Sequence, residues 1–199
     1  MIFVWGKRSY GAIRRVGNIS IKTVFGHLWY LPLFPMTSYY VDTQSKAAYE
    51  LNGLHWRSVL FGYLRVWLPV IFAFTFIATL EKADGSMTGP IICILALAAF
   101  LGTYLYDKKT LSETTTNIRW MMHRHFGVAL DPHETLANLQ QEIEHKKGNA
   151  DLPETWYKEA IHDAQCDHTT LELALLRARC DQHDKELQQV VLRKIPQLS

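Results

Sequence analysis

Residues 79–90 read TLEKADGSMTGP, a polar dozen. VWLPVIFAFTFIATL (66–80) leads into it and IICILALAAFLGTYLY (91–106) follows, and neither run contains a charge. The dozen is either a surface turn between two buried helices or the outer loop of a membrane hairpin. From Val66 to Leu80 and from Gly89 to Tyr106 the charge-free stretches are 15 and 18 residues long, slightly under the roughly 20 that cross a bilayer. The first extends backwards through VLFGYLR, where Arg65 can snorkel to headgroups. Pro69 bends such a helix without forbidding it. Helices apolar on every side need either lipid or a large surrounding core. A chain of 199 residues, with its polar residues concentrated elsewhere, cannot supply that core. The pattern predicts a two-helix transmembrane hairpin, spans about 59–80 and 89–106, with 81–88 as the outer loop.

Charge sets the expected orientation. The loop carries Lys82 against Glu81 and Asp84, whereas Arg57, Arg65, Lys108, Lys109, Arg119 and Arg124 lie at the other ends. The positive-inside tendency then places both termini in the cytoplasm. Trp56, Tyr63, Trp67, Tyr104 and Tyr106 gather at the same boundary, as interfacial aromatics do. Arg57, Arg65, Lys108 and Lys109 are the candidate contacts to anionic headgroups. MIFVW is too short for a signal peptide's apolar region and its basic pair follows rather than precedes it. Three cysteines, Cys93, Cys166 and Cys180, form no CxxC pair, which suits a reducing compartment.

Residues 1–55 predict a β-rich module. MIFVW, NISIKTVF and SYYVD are rich in β-branched and aromatic residues, and VDTQSKAAYEL reads as a hairpin around Gln44-Ser45. HLWYLPLFPM is apolar for a loop, and Pro32 and Pro35 argue against a central strand there. It is either the core of the module or a patch for lipid or a partner. LHWRSVLFGYLR is either a short interfacial helix or the first turns of the first span.

The order WG (5–6), YLPLFPMTSYYV (30–41), NGLHWRSVLFGYLR (52–65), then two spans, resembles a group of uncharacterised bacterial membrane proteins. In that group a β-rich, zinc-ribbon-like N-terminal module precedes a pair of transmembrane helices. Relatives often hold zinc through CxxC pairs, and this chain has no cysteine before Cys93. The resemblance therefore implies the layout and scaffold without the metal.

Residues 107–199 predict a cytoplasmic helical bundle. LSETTTNIRWMMHRHFG places Ile118, Met122 and Phe126 on one face and stops at Gly127. Asp131-Pro132-His133-Glu134 has the form of a capping box, with Leu136, Leu139 and Ile143 on the following face and a stop near Gly148. Asp151-Leu152-Pro153-Glu154 repeats the signal, and Thr169 with Glu172 offers a third. Leu173, Leu176, Cys180, His183, Leu187 and Val190 alternate three and four apart. This short seam suits either bundle packing or a partner-docking helix.

Candidate chemistry is sparse. His162-x3-Cys166 and Cys180-x2-His183 place pairs of ligands on helix faces, and together could close a zinc site. No phosphate loop, nucleophile elbow, HExxH or dinucleotide fingerprint is present, so no enzyme is expected. His123-Arg124-His125 reads as juxtamembrane charge. Mixed-sign faces exclude a basic nucleic-acid-binding surface. Ala98 and Gly102 form a small-xxx-small pair that would let spans associate. The expectation is an α+β membrane protein that anchors, or serves as accessory subunit to, a protein partner. The alternatives are a homo-oligomeric pore-forming effector and a metal- or redox-responsive sensor.

Overall fold

The computed structural model describes residues 5–81, 87–109, 111–136, 138–148, 155–163, 165–181 and 183–198. The chain forms two compact units, Met1–Arg15 with Ser20–Leu111, and Val16–Ile19 with Ser112–Ser199. The expected β-module and hairpin both lie in the first unit, and residues 112–199 lie in the second.

The first unit is built on a four-stranded sheet of order β1-β2-β3-β4. Its strands are Trp5–Val16 (β1), Ile19–Leu28 (β2), Leu31–Asp42 (β3) and Ala48–Glu50 (β4). The hairpin around Gln44-Ser45 is present, with Tyr39 opposite Glu50 and Val41 opposite Ala48. Asp42 closes it by accepting from the Gln44 N–H at 2.8 Å and the Ser45 hydroxyl at 2.6 Å, as short polar side chains do in turns. Pro32 and Pro35 do lie in a strand, and one that stands between two others. The three residues of β4 pair only with Tyr39–Val41, so the proline-bearing half of β3 lies outside that ladder and is flanked by β2 alone.

Two long helices, α1 (Trp56–Glu81) and α2 (Thr88–Lys109), follow the sheet. LHWRSVLFGYLR contributes the first turns of α1 from Trp56 onward, and the helix runs through Pro69 without interruption. The expected outer loop falls largely on residues 82–86, outside the described residues. The start of α1 packs on the sheet by close backbone approach. A Cβ at Gly11, whose φ is +69°, would stand 1.9 Å from the Ser58 carbonyl oxygen, and the Ser58 hydroxyl donates to the Gly11 carbonyl at 2.8 Å. Gly62 leaves room for the Phe25 ring, which Tyr10 and Tyr63 meet edge-on at 5.8 and 5.1 Å. Phe25, Ile13, Ile21 and Tyr40 are its fully buried centre.

The second unit is helical: α3 (Glu113–Phe126), α4 (Leu139–Lys147), α5 (Trp156–His162), α6 (His168–Cys180) and α7 (Lys185–Lys194), ending in a 3₁₀ turn, Ile195–Leu198. Gly127 and Gly148 close α3 and α4 in the left-handed conformation, as their positions in the sequence imply. Residues 172–178 of α6 are buried without a break, so this helix is the centre of the unit.

Three expectations need correction. Asp131 caps no helix: α4 starts eight residues later, at Leu139, and Leu136 is exposed. The Asp131 carboxylate accepts the His133 N–H at 3.0 Å within a turn and also receives Arg179 Nε and Nη2 at 3.0 and 3.1 Å. The N-cap of α6 is Asp167, which accepts from the Thr170 N–H at 3.3 Å, not Thr169. The seam from Leu173 to Val190 is not one helix, because α6 ends at Cys180 and α7 begins at Lys185. The box at 151–154 lies outside the described residues.

Candidate functional site

The most distinctive surface is that of α1 and α2. Over Trp56–Leu80 and Thr88–Asp107 mean hydropathy reaches 1.8 and 1.9, yet only 11% and 17% of those windows is buried. A core helix of that composition would be buried nearly throughout. Phe74, Ile77, Leu80, Ile94, Leu95 and Leu105 all stand exposed, which in water is a large uncompensated apolar area. In the second half of α1 the Thr75 and Thr79 hydroxyls are satisfied inside the helix, donating to the Ile71 and Thr75 carbonyls at 2.8 and 2.7 Å. Two helices of the chain are thus long and apolar enough to cross a membrane.

Gly89 sets how closely the pair packs, since a Cβ there would stand 2.1 Å from Thr79 Oγ1. Beside this contact lies an apolar groove of about 280 Å³ lined in part by Phe72, Phe76, Cys93 and Leu97. Ala98 is exposed, and a Cβ at Gly102 would meet nothing within 4 Å. The small pair faces away from α1 and is not used within the hairpin.

At the other end of the hairpin Arg65 differs from expectation. Its side chain, only 12% exposed, is turned onto internal partners rather than outward. Nη1 donates to the Ala12 carbonyl at 2.5 Å, Nε to Thr103 Oγ1 at 3.4 Å, and Nη2 lies 3.9 Å from Asp107 Oδ2. The guanidinium also sits over the Tyr104 and Phe61 rings at 4.2 and 5.2 Å, a cation–π arrangement. Asp107 completes the link by accepting the Arg14 N–H at 3.1 Å. One arginine therefore joins β1, α1 and α2. Arg57 is exposed; the side chains of Lys108 and Lys109 lie outside the described residues.

In the helical unit, charges in the LELALLRARC stretch of α6 point inward and each has a partner. Glu172, 3% exposed, takes Arg124 Nη1 at 2.5 Å and His125 Nε2 at 2.6 Å, with His168 Nδ1 at 3.6 Å. Two members of the HRH triplet thus tie α3 to α6. Arg177 bonds Glu144 at 2.7 Å and covers the Tyr157 ring at 4.8 Å. Arg179, besides Asp131, reaches Gln188 Oε1 at 2.8 Å. Buried charge persists only when paired in this way. A cavity of about 50 Å³ beside Asn117, Trp120, Arg124 and Glu172 has room for a few waters at most. A lone carboxylate inside an otherwise apolar helical run was the signal for this network.

The proposed zinc ligands are dispersed over different elements. His162 ends α5, Cys166 lies between α5 and α6, Cys180 ends α6 and His183 precedes α7. Among the described residues no three His, Cys, Asp or Glu side chains come together as a metal-binding group. Burial pushes the Cys180 thiol from its ordinary 9.0 up to about 12, and its Sγ–H points at the Leu176 carbonyl 3.5 Å away. Both disfavour the thiolate that a metal requires. Burial, with Asp163 nearby, raises Cys166 as well. Of the seam residues, Leu173, Leu176 and Leu187 are buried in the unit's own core, and Val190 is half-buried.

No protein-family model, curated protein or solved structure matches this chain.

Proposed function

We propose that this protein is a non-enzymatic adaptor of a bacterial inner membrane, with both termini cytoplasmic, which holds a protein partner at the bilayer. The observation that carries the reading is the combination of high hydropathy and low burial in α1 and α2. Such surfaces are stable in lipid and not in water. The helical unit would be the partner-holding part. Its seam leucines are spent on its own core, so the docking surface lies on its exposed faces, with Leu192 and Trp120 as large apolar side chains there.

The test is purification of the tagged full-length protein from native membranes in mild detergent, read by native mass. A second protein at fixed ratio supports the adaptor. Recovery of the chain alone, as a monomer, would overturn it. The outward-facing Ala98 and Gly102 favour one further reading, self-association of α2 into a homo-oligomer, up to a pore. Gly102→Leu should then dissociate the oligomer, while a wild-type monomer would remove that reading.

A further inference from the structure

The sheet has unlike ends. The β3–β4 turn is Asp42-Thr43-Gln44-Ser45-Lys46, polar and exposed at Thr43–Lys46. The β2–β3 turn is Trp29-Tyr30, and both residues are more than half exposed, at 57% each. Trp5 and Phe34 extend the same patch, at 64% and 62% exposed. Their rings approach the Gly26 position from two strands, at 3.8 and 3.9 Å from where a Cβ would lie.

The turn itself is strained for its residues. Trp29 and Tyr30 have φ of +52° and +65°, the left-handed conformation that two-residue hairpin turns demand and that Asn and Gly fill at little cost. At the β1–β2 connection the left-handed position is filled by a glycine, Gly17 at φ +57°. Two bulky aromatics in that conformation are strained and persist only where the surroundings hold them. The Tyr10 hydroxyl holds the turn by donating to the Tyr30 carbonyl at 2.7 Å, and His27 stacks on the Tyr30 ring at 5.6 Å.

The place of the turn relative to α1 is fixed by two hydrogen bonds. Tyr63 Oη donates to the Leu33 carbonyl at 2.6 Å, and Trp67 Nε1 to the Pro32 carbonyl at 3.4 Å. Moving along α1 into its apolar stretch therefore means moving back along β3 toward Trp29-Tyr30. The turn lies roughly 7–10 Å further along that strand than Pro32. It thus passes the level of the Arg65–Asp107 pair and runs beside the apolar part of the helix. Arg8 places its guanidinium 5.6 Å from the Tyr30 ring centre, and Lys7 is exposed next to it.

We propose that the β2–β3 end of the sheet is a second membrane anchor. Trp29, Tyr30, Phe34 and Trp5 enter the interfacial layer of the bilayer that α1 and α2 cross, and Lys7 and Arg8 meet anionic headgroups. The inference rests on the hairpin's crossing a membrane. The occupant is lipid because β3, which leads into the turn, is tied to α1 at Tyr63 and Trp67, where the apolar stretch of the helix begins. Aromatic rings flanked by cations are also the composition that partitions to the headgroup boundary.

The test uses the full-length chain, with Cys93, Cys166 and Cys180 replaced by alanine, in vesicles of phosphatidylcholine and phosphatidylglycerol. A nitroxide is attached in turn to Trp29→Cys, Phe34→Cys, Gln44→Cys and Ile94→Cys, all exposed positions that tolerate a label. Relaxation by oxygen, which concentrates in lipid, is compared with relaxation by a water-soluble nickel chelate. Oxygen should dominate at 29, 34 and 94, and nickel at 44. Oxygen at 94 with nickel at 29 and 34 would overturn the second anchor and leave the hairpin intact. Nickel at 94 would overturn both. An independent measurement needs no cysteine: with bromine on shallow acyl carbons, Trp29→Phe should remove part of the quenched emission of the otherwise wild-type chain. An unchanged quenched fraction would count against the anchor.

Discussion

Arg65 is the residue on which the first unit turns. It lies at the edge of a charge-free run, which suggests a side chain reaching outward for headgroups, but it spends its donors on Ala12 and Thr103 and its charge on Asp107. Removing one member of a mostly buried pair leaves the other uncompensated. Arg65→Gln should therefore cost on the order of 3 kcal/mol, read as a lower midpoint of thermal unfolding in mild detergent. Arg65→Lys should recover only part, because an ammonium lacks the planar fork. Cys180 gives a pH-dependent counterpart. Its folded-state pKa, about 12, lies above the ordinary 9.0, so the folded state holds the proton more tightly than the unfolded one. The resulting stabilisation is complete below pH 9 and is lost as pH rises toward 12. Denaturant titrations should show wild type losing stability across that window faster than Cys180→Ala. Equal slopes would place the thiol in a more open setting.

At the scale of elements, the hairpin, β2 and the β3–β4 turn were legible in the sequence; β1 beyond Trp5, the proline-bearing half of β3 and the starts of α4 and α6 were not, and MIFVW before Trp5 lies outside the described residues. Charge-free runs and turn chemistry are local signals, and they placed α1, α2, the β3–β4 turn and the ends of α3 and α4 within a few residues. Asp131-Pro132-His133-Glu134 has local capping form, yet Arg179, 48 positions later, claims the carboxylate. No local pattern announces a partner so distant. The seam failed for the complementary reason: its period continues through Asp181 and Asp184, but Asp184 caps a new helix by accepting the Leu187 N–H at 2.9 Å. Leu187→Asp should accordingly unfold the helical unit, since it buries a carboxylate among apolar side chains at a cost of several kcal/mol. Loss of far-ultraviolet helical signal would show this; a folded variant lacking only a partner would contradict it. In the hairpin, Gly89→Leu must displace Thr79 and separate the helices. A cysteine cross-link between Thr79→Cys and Pro90→Cys should form less efficiently in that background.

At the scale of the whole molecule, the sequence specified where apolar surface is concentrated but not how it is shared. The stretch holding Trp29, Tyr30 and Phe34 reads first as core, yet all three stand exposed, because periodicity cannot tell an outward aromatic from an inward one. Only the hydrogen bonds from Tyr63 and Trp67 give their position along α1. The Cys/His pairs were legible as spacings, yet the elements that carry them do not bring a metal-binding group together among the described residues. Everything proposed for this protein depends on α1 and α2 being in a bilayer. The most direct measurement is flotation of cell membranes through a sucrose gradient after an alkaline carbonate wash, which strips peripheral proteins and leaves aggregates at the bottom. The full-length chain should float with the lipid. Its recovery in the wash, or at the bottom of the gradient, would contradict the membrane hairpin and the adaptor built on it.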